Sequence, residues 1–483
     1  MNSNFRDYCP DQPWMFPPVL SDLIAPEDPL HVFSETIDRL DLSAFYARYS
    51  KEGSPAYHPR MMVKVLAYAY SLGLRSSRRI ASLVRYDVRF MYLAGLQQPD
   101  FRTLSDFRLR HLPEFSRLFE QIVHLCQELG LVALDHVAID GTKMEANAAW
   151  TASRTQDRLE VESGALQARI QALLAEAQAI DEQEDDQFGS DRQGGELPGE
   201  LVQAQNRKHK IDAALKKLQE RDDRKINLTD PDARVMQHYG GKQDWSYNAQ
   251  IAVDSQDQVI VAAQVVTEKT DQHQLAPMYQ QTVANSGQAP AEISADSGYA
   301  TGASQLFLEE NGINAYMPDQ YLEADKVKPE SPYSRDKFSY DEQADVFICP
   351  AGRILKLLQV RPDNGVEIKT YRCDHCPACP HQSQCVLHGK HRTLKVSQAE
   401  RFRDAMRAKL DSPEGRRKYR KRQATVEPVI GHIKCILGFR DFLLRGLDKA
   451  QGEFHLIASV HNLRKLSLKI PKLAPPGWCA AVN

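Results

Sequence analysis

The stretch Tyr419-Arg-Lys-Arg-Gln-Ala-Thr-Val-Glu427-Pro-Val-Ile-Gly-His-Ile-Lys434 combines one carboxylate, several cations and an apolar stripe. In a helix, Glu427 and Lys434 lie two turns apart on one face, and Arg420 lies on that face one heptad earlier. Such a carboxylate can bind a metal ion while the cations hold DNA phosphates, although surface ion pairs are the commoner use of these charges. Pro428 predicts that the helix begins at Glu427 or kinks there, because proline fits a helix only in its first turn.

Two aspartates elsewhere follow short apolar runs. Val137 to Ile139 leads into Asp140-Gly141, and the run 291–295 leads into Asp296-Ser-Gly298. Each run predicts a buried strand that ends in a turn, with the aspartate facing a cleft. Two-metal cleavage of phosphodiesters needs several carboxylates around ions about 4 Å apart, and Mg²⁺ prefers oxygen ligands. A lone aspartate at a strand end is usually a turn former, so each aspartate alone is weak evidence.

Together with these motifs, the chain resembles the DDE transposases of bacterial insertion sequences that carry a Tyr-Arg-Glu-Lys signature. The resemblance rests on pieces spread along the chain in the family's order: Ile139 to Lys143, Ala295 to Tyr299, Tyr419 to Lys434, His461 to Lys465, and the N-terminal stretch from Ser76 to Thr103. It implies an α/β (mixed α+β) fold with a ribonuclease H-like core, in which a mixed sheet is flanked by helices.

The resemblance also assigns roles to residues. It implies that Asp140, Asp296 and Glu427 are catalytic and hold two Mg²⁺ or Mn²⁺ ions, and that Arg422 and Lys434 are the basic members of the signature. The family's usual spacing places the arginine at position 423, which is Gln423 here.

The activity implied by the resemblance is DNA transposition. Hydrolysis frees a 3′-hydroxyl at the element's end, and that hydroxyl attacks target DNA. The implied partners are double-stranded DNA, as terminal inverted repeats and as target, and a second copy of the chain in a synaptic homodimer. Two alternatives stay open: a ribonuclease H-like nuclease or resolvase without strand transfer, and a catalytically silent, transposase-derived DNA-binding protein.

Composition shifts divide the chain into segments. The predicted organisation is a helical DNA-binding domain (1–130), a catalytic domain (131–150, 227–345 and 395–470), an inserted charged helical hairpin (151–226), a cysteine-rich segment (346–394) and a disordered tail (471–483). We expect the hairpin to help multimerisation or contact with DNA ends.

Within the first segment, helices are predicted over His58–Ser71 and over Arg78–Arg85, the second capped by Ser76 or Ser77. A third helix is predicted from Thr103, which resembles a capping box with Asp106. The arginines on the second helix are equally compatible with a helix that binds in a DNA groove and with the solvated face of an ordinary helical bundle. The third helix is expected to show Arg108 and Arg110. The candidate DNA-binding residues are Arg78, Arg79, Lys143, Arg420, Arg422 and Lys434.

The net charge of −3 argues against a generic nucleic-acid binder, but the charged residues are unevenly distributed along the chain. A basic run over 401–434 is offset by acidic residues over 157–223, and a local basic face binds phosphates whatever the sum. The sequence shows neither a signal peptide nor an apolar run near the roughly 20 residues of a membrane span. We therefore expect a cytoplasmic, nucleoid-associated protein with reduced cysteines.

The spacing Cys373-x2-Cys376-x2-Cys379-x5-Cys385 predicts a zinc knuckle, with Cys349 upstream. An iron–sulfur cluster and a metal-free thiol cluster are the alternatives. Four thiolates would close the coordination of zinc, so this segment is interpreted as structural and not as the centre of a hydrolase.

Other polar and aromatic residues have lesser expected roles. Asp271 and His273 could reach the cleft from a loop, but a role as turn and surface residues is the favoured interpretation. Trp245 and Tyr247 could stack on a flipped or unpaired base, but they are expected to pack in the core. Lys143 and Glu145, beside Asp140, are candidates for orienting phosphate or metal.

Overall fold

The computed structural model describes residues 19–50, 55–188, 199–221, 223–318, 332–363, 366–386, 389–397 and 400–473. The chain divides into two compact units. The first contains the residues up to Leu131, Ile433–Phe439 and the residues from His455 onward. The second contains Val132–His432 and Arg440–Phe454. The mixed α/β fold class predicted from the sequence is confirmed.

The first unit is helical throughout its described residues. Its helices before Leu131 are α1 (Pro29–Arg39), α2 (Ser43–Tyr46), α3 (Pro59–Ser71), α4 (Ser77–Tyr86), α5 (Val88–Leu93), α6 (Phe101–Arg110) and α7 (Leu112–Glu128). Helix α3 buries nearly all of its side chains, which makes it the centre of this unit.

Side-chain caps begin α1, α4, α5 and α6 in this unit. As predicted, the Ser76 hydroxyl accepts from the Arg79 amide and begins α4. The cap predicted at Thr103 is wrong, because Asp100 accepts from the Thr103 amide at 2.7 Å and begins α6 earlier. Arg108 is also not exposed as predicted: its guanidinium is buried and donates to the Tyr70 hydroxyl at 3.1 Å.

The second unit is built on a six-stranded mixed sheet. The strands and helices of its first half are β1 (Val137–Glu145), β2 (Ser153–Arg154), α8 (Gln156–Phe188), α9 (Gly199–Gln219), β3 (Ile226–Asn227), β4 (Arg234–Gln237), β5 (Gln243–Asp254), β6 (Ile260–Val266), α10 (Leu275–Ser286), β7 (Ile293–Ser294), α11 (Gly302–Glu310) and β8 (Ala315–Tyr316). The sheet order is β4-β5-β1-β7-β8, and β6 also pairs with β5. β1 runs antiparallel to β5 and parallel to β7. Its central position makes β1 the strand that aligns the others.

A helical hairpin interrupts the chain between β1 and β4. Helices α8 and α9 pair side by side, and Ser163 donates to Asp212 across them at 2.6 Å. The ladder β2–β3 joins the two ends of the hairpin, with Ser153 opposite Asn227. Residues 189–198, between the two helices, lie outside the described residues. The hairpin has apolar clusters of its own, built around Leu159 and Leu201.

A five-stranded antiparallel sheet follows, where only a knuckle was predicted. Its elements are β9 (Ser339–Asp341), β10 (Val346–Ile348), β11 (Ile354–Asp363), β12 (Val366–Arg372), the short helix α12 (Gln382–Cys385) and β13 (Thr393–Ser397). The strands were missed because apolar side chains such as Leu357, Leu358 and Val360 lie exposed on both faces of β11, so its sequence lacks a clear alternation.

Three helices close the chain: α13 (Glu400–Asp411), α14 (Pro413–Gly431) and α15 (Leu447–Leu473), with a π-helical turn at His432–Ile436. Helix α15 extends three residues into the predicted tail; residues 474–483 lie outside those described. Of the helices that the structure describes, none combines the length and apolar character that a membrane span requires.

Helix α14 does not begin at Glu427, so that alternative is wrong: it continues through Pro428 to Gly431. A kink at Pro428, the other alternative, stays a prediction. The helix begins at Pro413, where Ser412 accepts from the Gly415 amide at 3.0 Å. Pro428 has no amide hydrogen for the Ala424 carbonyl four residues earlier. The Gln258 side chain, from the turn between β5 and β6, donates to that carbonyl at 3.0 Å instead. A tertiary hydrogen bond thus replaces the one that proline removes.

Two glycines in α14 give a test of its packing. A Cβ atom on Gly415 would lie 2.0 Å from the Lys409 carbonyl oxygen, whereas one on Gly431 would meet open space. We expect Gly415→Ala to destabilise the unit by about 1–3 kcal/mol, and Gly431→Ala to be neutral or to stabilise it by up to about 1 kcal/mol. Calorimetric unfolding of both variants checks this. Equal stability of the two variants would contradict the described joint between α13 and α14.

Candidate active site

Asp140 lies on β1, and Asp296 lies just after the neighbouring strand β7 of the central sheet. In the parallel pair, Val137 is opposite Ile293 and Ala138 is opposite Ser294. Continuing this register by two residues places Asp140 beside Asp296, which lies two residues after the end of β7. Asp296 is fixed by its own carboxylate, which accepts from the Gly298 amide at 2.8 Å. The two aspartates predicted from strand ends are therefore brought together. The turn predicted at Asp140-Gly141 is wrong, because β1 continues to Glu145.

A buried arginine from α14 faces this pair. The Arg422 guanidinium donates to the Asp140 carboxylate at 2.9 Å, and its side chain is only 9% exposed. Burial raises the pKa of Asp140 to about 6; the Arg422 charge opposes this rise and the Asp296 charge adds to it. Burial also raises the pKa of Asp296. The site therefore holds two carboxylates that are costly to ionise together, with one fixed cation between helix and sheet.

Asp271, expected at the surface, belongs to the site. Its carboxylate accepts from the side-chain amides of Asn248 and Gln250, each at 2.6 Å. Both amides are fully buried on β5. The buried Tyr299 hydroxyl donates to the Gln250 side-chain oxygen, which turns the Gln250 amide nitrogen towards Asp271. This chain of hydrogen bonds holds Asp271 against the neighbouring Asp296, whose pKa it raises.

Gly141 is required by the close approach of these groups. A Cβ atom at this position would lie 2.4 Å from the Gln250 amide nitrogen and 2.7 Å from an Asp271 oxygen. Gln250 stands directly opposite Gly141 in the antiparallel pair. The absence of a side chain at position 141 therefore lets the side chains of Gln250 and Asp271 pack against β1 next to Asp140.

Lys143 supplies the second cation of the site. Its ammonium lies 3.5 Å from the Asp271 carboxylate, and burial lowers its pKa while Asp271 opposes the change. Asp140, Asp271 and Asp296 thus outnumber Arg422 and Lys143. This excess of hard oxygen donors over cations suits a divalent metal ion. Glu145, the other candidate beside Asp140, instead pairs with Lys242.

Glu427 is placed differently from the two aspartates. It lies on α14 with an exposed side chain, and the structure gives it neither a hydrogen bond nor an ion pair with the described residues. Within the described ranges, no three His, Cys, Asp or Glu side chains stand as a formed metal site. Asp140 and Asp296 fit a cation by chemistry and charge, whereas the contribution of Glu427 stays a prediction.

The predicted DNA-binding residues are dispersed. Arg78 and Arg79 are exposed on α4, and the Arg78 guanidinium stacks 4.5 Å from the Phe101 ring centre. Arg420 is exposed on α14, and Lys434 lies in the π-helical turn. Arg422 and Lys143 are engaged with site carboxylates. Their binding to DNA stays a prediction.

The cysteine-rich segment brings five sulfurs around one small cavity. Cys349, Cys373, Cys376, Cys379 and Cys385 line a space of about 20 Å³ together with His381. Backbone amides donate to two of the sulfurs at 3.2 Å: Arg353 to Cys349 and Arg392 to Cys376. All five cysteines are free thiols. Cys349, which the predicted zinc set omitted, is thus part of the cluster.

Two family models match the chain. One, described as a transposase DDE domain, matches residues 348–467; the other, described as a transposase domain (DUF772), matches residues 18–110. The resemblance to DDE transposases is confirmed. The DDE match contains Glu427 and the cysteine cluster, whereas Asp140 and Asp296 lie between the two transposase matches. No curated protein matches the chain.

The sequence of β5 contains a pattern that could have indicated the site residues that were not predicted. Ser246, Asn248 and Gln250 are polar and alternate within an otherwise apolar strand, and all three are buried. Because alternate residues share one face, this pattern indicates a strand face turned towards polar groups. It predicts a site beside β5 without identifying Asp271. Trp245 and Tyr247 are buried as predicted.

The raised pKa of Asp140 links the stability of this unit to pH. Because the folded state holds this proton more tightly than the unfolded chain, whose pKa is near 3.8, stability falls as pH rises from about 4 to about 6. In metal-free buffer we expect Asp140→Asn to gain about 3 kcal/mol relative to wild type across this range. Unfolding of both proteins at several pH values measures the difference.

Glu310→Gln, at an exposed position on α11, is the control and should follow the wild-type pH dependence. A constant difference between Asp140→Asn and wild type from pH 4 to pH 7 would contradict the electrostatic description of the site.

Proposed function

We propose that the chain is a transposase that cleaves and rejoins DNA at the ends of an insertion sequence by metal-dependent phosphoryl transfer. The observation that carries the proposal is the pairing of Asp140 with Asp296 on neighbouring strands, in a chain whose flanking segments match transposase domains. Paired carboxylates at adjacent strand positions are the donors that such chemistry requires.

In this proposal Asp140, Asp296 and Glu427 hold two Mg²⁺ or Mn²⁺ ions. Bound there, the ions supply activation of the attacking oxygen and stabilisation of the leaving oxygen. Arg422 holds Asp140 in place and reduces the repulsion between the two aspartates. The amides of Asn248 and Gln250 keep Asp271 oriented beside Asp296.

The substrate is double-stranded DNA, both as the element's terminal inverted repeats and as the target. Arg78, Arg79, Arg420 and Lys434 contact phosphates, together with Arg422 and Lys143 once the ions balance the carboxylates. Two copies of the chain hold the two ends in one synaptic complex, and the protein acts on DNA of the nucleoid. A resolvase-type nuclease and a silent DNA-binding protein are distinguished by the following experiment.

The test uses duplexes taken from the DNA that flanks the coding sequence. With Mg²⁺, we expect nicking at the element's ends and joining to a target. Asp140→Ala, Asp296→Ala and Glu427→Ala should each lower nicking at least about 100-fold while duplex binding persists. Gel analysis of labelled strands measures both.

Glu310→Ala, which removes one exposed carboxylate from α11, should nick like the wild type. Nicking without joining would favour the nuclease. Binding without nicking would favour the silent DNA-binding protein. Full nicking by all three carboxylate variants would overturn the assigned site.

We also propose that the cysteine cluster holds a structural zinc ion. The donor set fits zinc by its chemistry: five cysteines line one small cavity, and backbone amides donate to two of their sulfurs. The described thiols do not stand as a formed metal site, so binding would draw them together. Burial raises the pKa of the Cys373 thiol, and a bound cation would reverse this change. Four of the five sulfurs suffice for tetrahedral zinc, so Cys349 joins Cys373, Cys376, Cys379 and Cys385 as a candidate ligand.

Metal analysis of the purified protein tests this assignment. We expect bound zinc that is lost, together with thermal stability, in Cys373→Ser and Cys376→Ser. Cys435→Ser, at an exposed cysteine outside the cluster, should keep its zinc. Iron in place of zinc would favour the cluster alternative. Metal-free protein from zinc-supplemented cells would favour the thiol cluster.

A further inference from the structure

A polar pocket lies just before the start of β1, a few residues from Asp140. It has a volume of about 490 Å³. Its walls come from the residues before β1, the residues before β7 and one side of α14: Asp135, His136, Ala291, Glu292, Arg417, Lys418 and Lys421. It is thus formed by the same elements as the candidate active site but does not share its residues.

Two cations of this pocket are unneutralised. Arg417 and Lys421 are exposed one helical turn apart on α14, and neither forms an ion pair with the residues that the structure describes. Like charges at this spacing destabilise a helix slightly, and an anion between them removes the penalty. Lys418, by contrast, is paired with Glu292. The pocket therefore presents two cations without an ion pair, beside one neutralised pair and the acidic Asp135.

The pocket wall also contains an imidazole whose hydrogen-bonding capacity is unused. His136 is only 2% exposed, and neither of its ring nitrogens has a hydrogen-bond partner among the described residues. A buried N–H without an acceptor is costly to keep. Burial lowers the pKa of His136 to about 4, with Lys421 and Lys418 acting in the same direction, so the ring is a neutral donor at pH 7. A bound oxyanion would supply the missing acceptor.

We propose that this pocket binds a backbone phosphate of DNA through Arg417, Lys421 and the His136 imidazole. The proposal rests on the proposed function for the identity of the ligand as DNA. His136 and Asp140 are four residues apart on extended chain, which is about 13 Å. One DNA strand advances about 3.4 Å per nucleotide, so a strand at the active site reaches the pocket within a few nucleotides. The pocket would fix the register of the strand that is cut.

Duplex binding in EDTA tests the proposal without requiring cleavage. The affinity of each protein is measured by fluorescence anisotropy over a series of salt concentrations. Because each phosphate contact contributes about 0.9 to the slope of log affinity against log salt, Arg417→Ala/Lys421→Ala should reduce that slope by about 2. His136→Phe removes a neutral donor, so it should weaken binding about fivefold and leave the slope unchanged.

The matched control is Lys356→Ala/Arg361→Ala, which removes two exposed cations from β11 and should keep the wild-type slope. Both double variants change exposed side chains, so the comparison holds even if His136→Phe does not fold. An equal slope for the pocket variant and the control would overturn the proposal. A thermal shift of wild type by inorganic phosphate, absent in the pocket variant while duplex binding is equal, would also overturn it in favour of a free-phosphate site.

Failure of the proposed function is distinguishable from failure of the pocket. If wild type binds duplex but never nicks it, the catalytic proposal falls, and a reduced slope of the pocket variant still supports the pocket. If wild type binds no duplex at all, both proposals are overturned.

Discussion

The pairing of β1 with β5 on one side and with β7 on the other sets the position of the groups in the candidate active site. Antiparallel pairing places Gly141 opposite Gln250 and Lys143 opposite Asn248, while parallel pairing brings Asp140 beside Asp296. A slip of one residue would turn every β1 side chain to the other face. It would also put a side chain where only Gly141 fits. The apolar residues that start β1 therefore hold the register on which the charged residues depend.

In the candidate active site, negatively charged side chains outnumber positively charged ones. Two aspartates with raised pKa values and a third held by amides face one guanidinium and one ammonium. The amide donors of β5 orient Asp271 without adding a positive charge. Such an arrangement lowers the stability of the folded chain, and it keeps oxygen donors available to a cation. Stability and the proposed chemistry thus make opposite demands on the same side chains.

The sequence predicts those parts of the fold and site that local patterns specify. Apolar runs before Asp140 and Asp296 predict their strands, and Ser76 predicts the start of α4, because each depends on neighbours in the chain. Local sequence patterns do not identify Asp271 as a site residue, because the amides that hold it lie on β5, distant in sequence. Helix α14 passes through Pro428 because Gln258, more than 160 residues away in sequence, completes its hydrogen bonds. The family's spacing places an arginine at position 423, yet Arg422 is the arginine of α14 that contacts Asp140. The role of Glu427 remains a prediction.

The helical hairpin between the first two aspartates has a consequence for how such chains diversify. Its two ends meet in the β2–β3 ladder, so the polypeptide leaves the central sheet and returns to it at nearly the same point. Its apolar clusters are internal to α8, α9 and the adjoining β3. Lengthening an insertion of this kind costs little additional loop-closure entropy, because that cost grows only with the logarithm of loop length. The hairpin can be lengthened, shortened or exchanged during evolution while the sheet and its aspartates stay where they are.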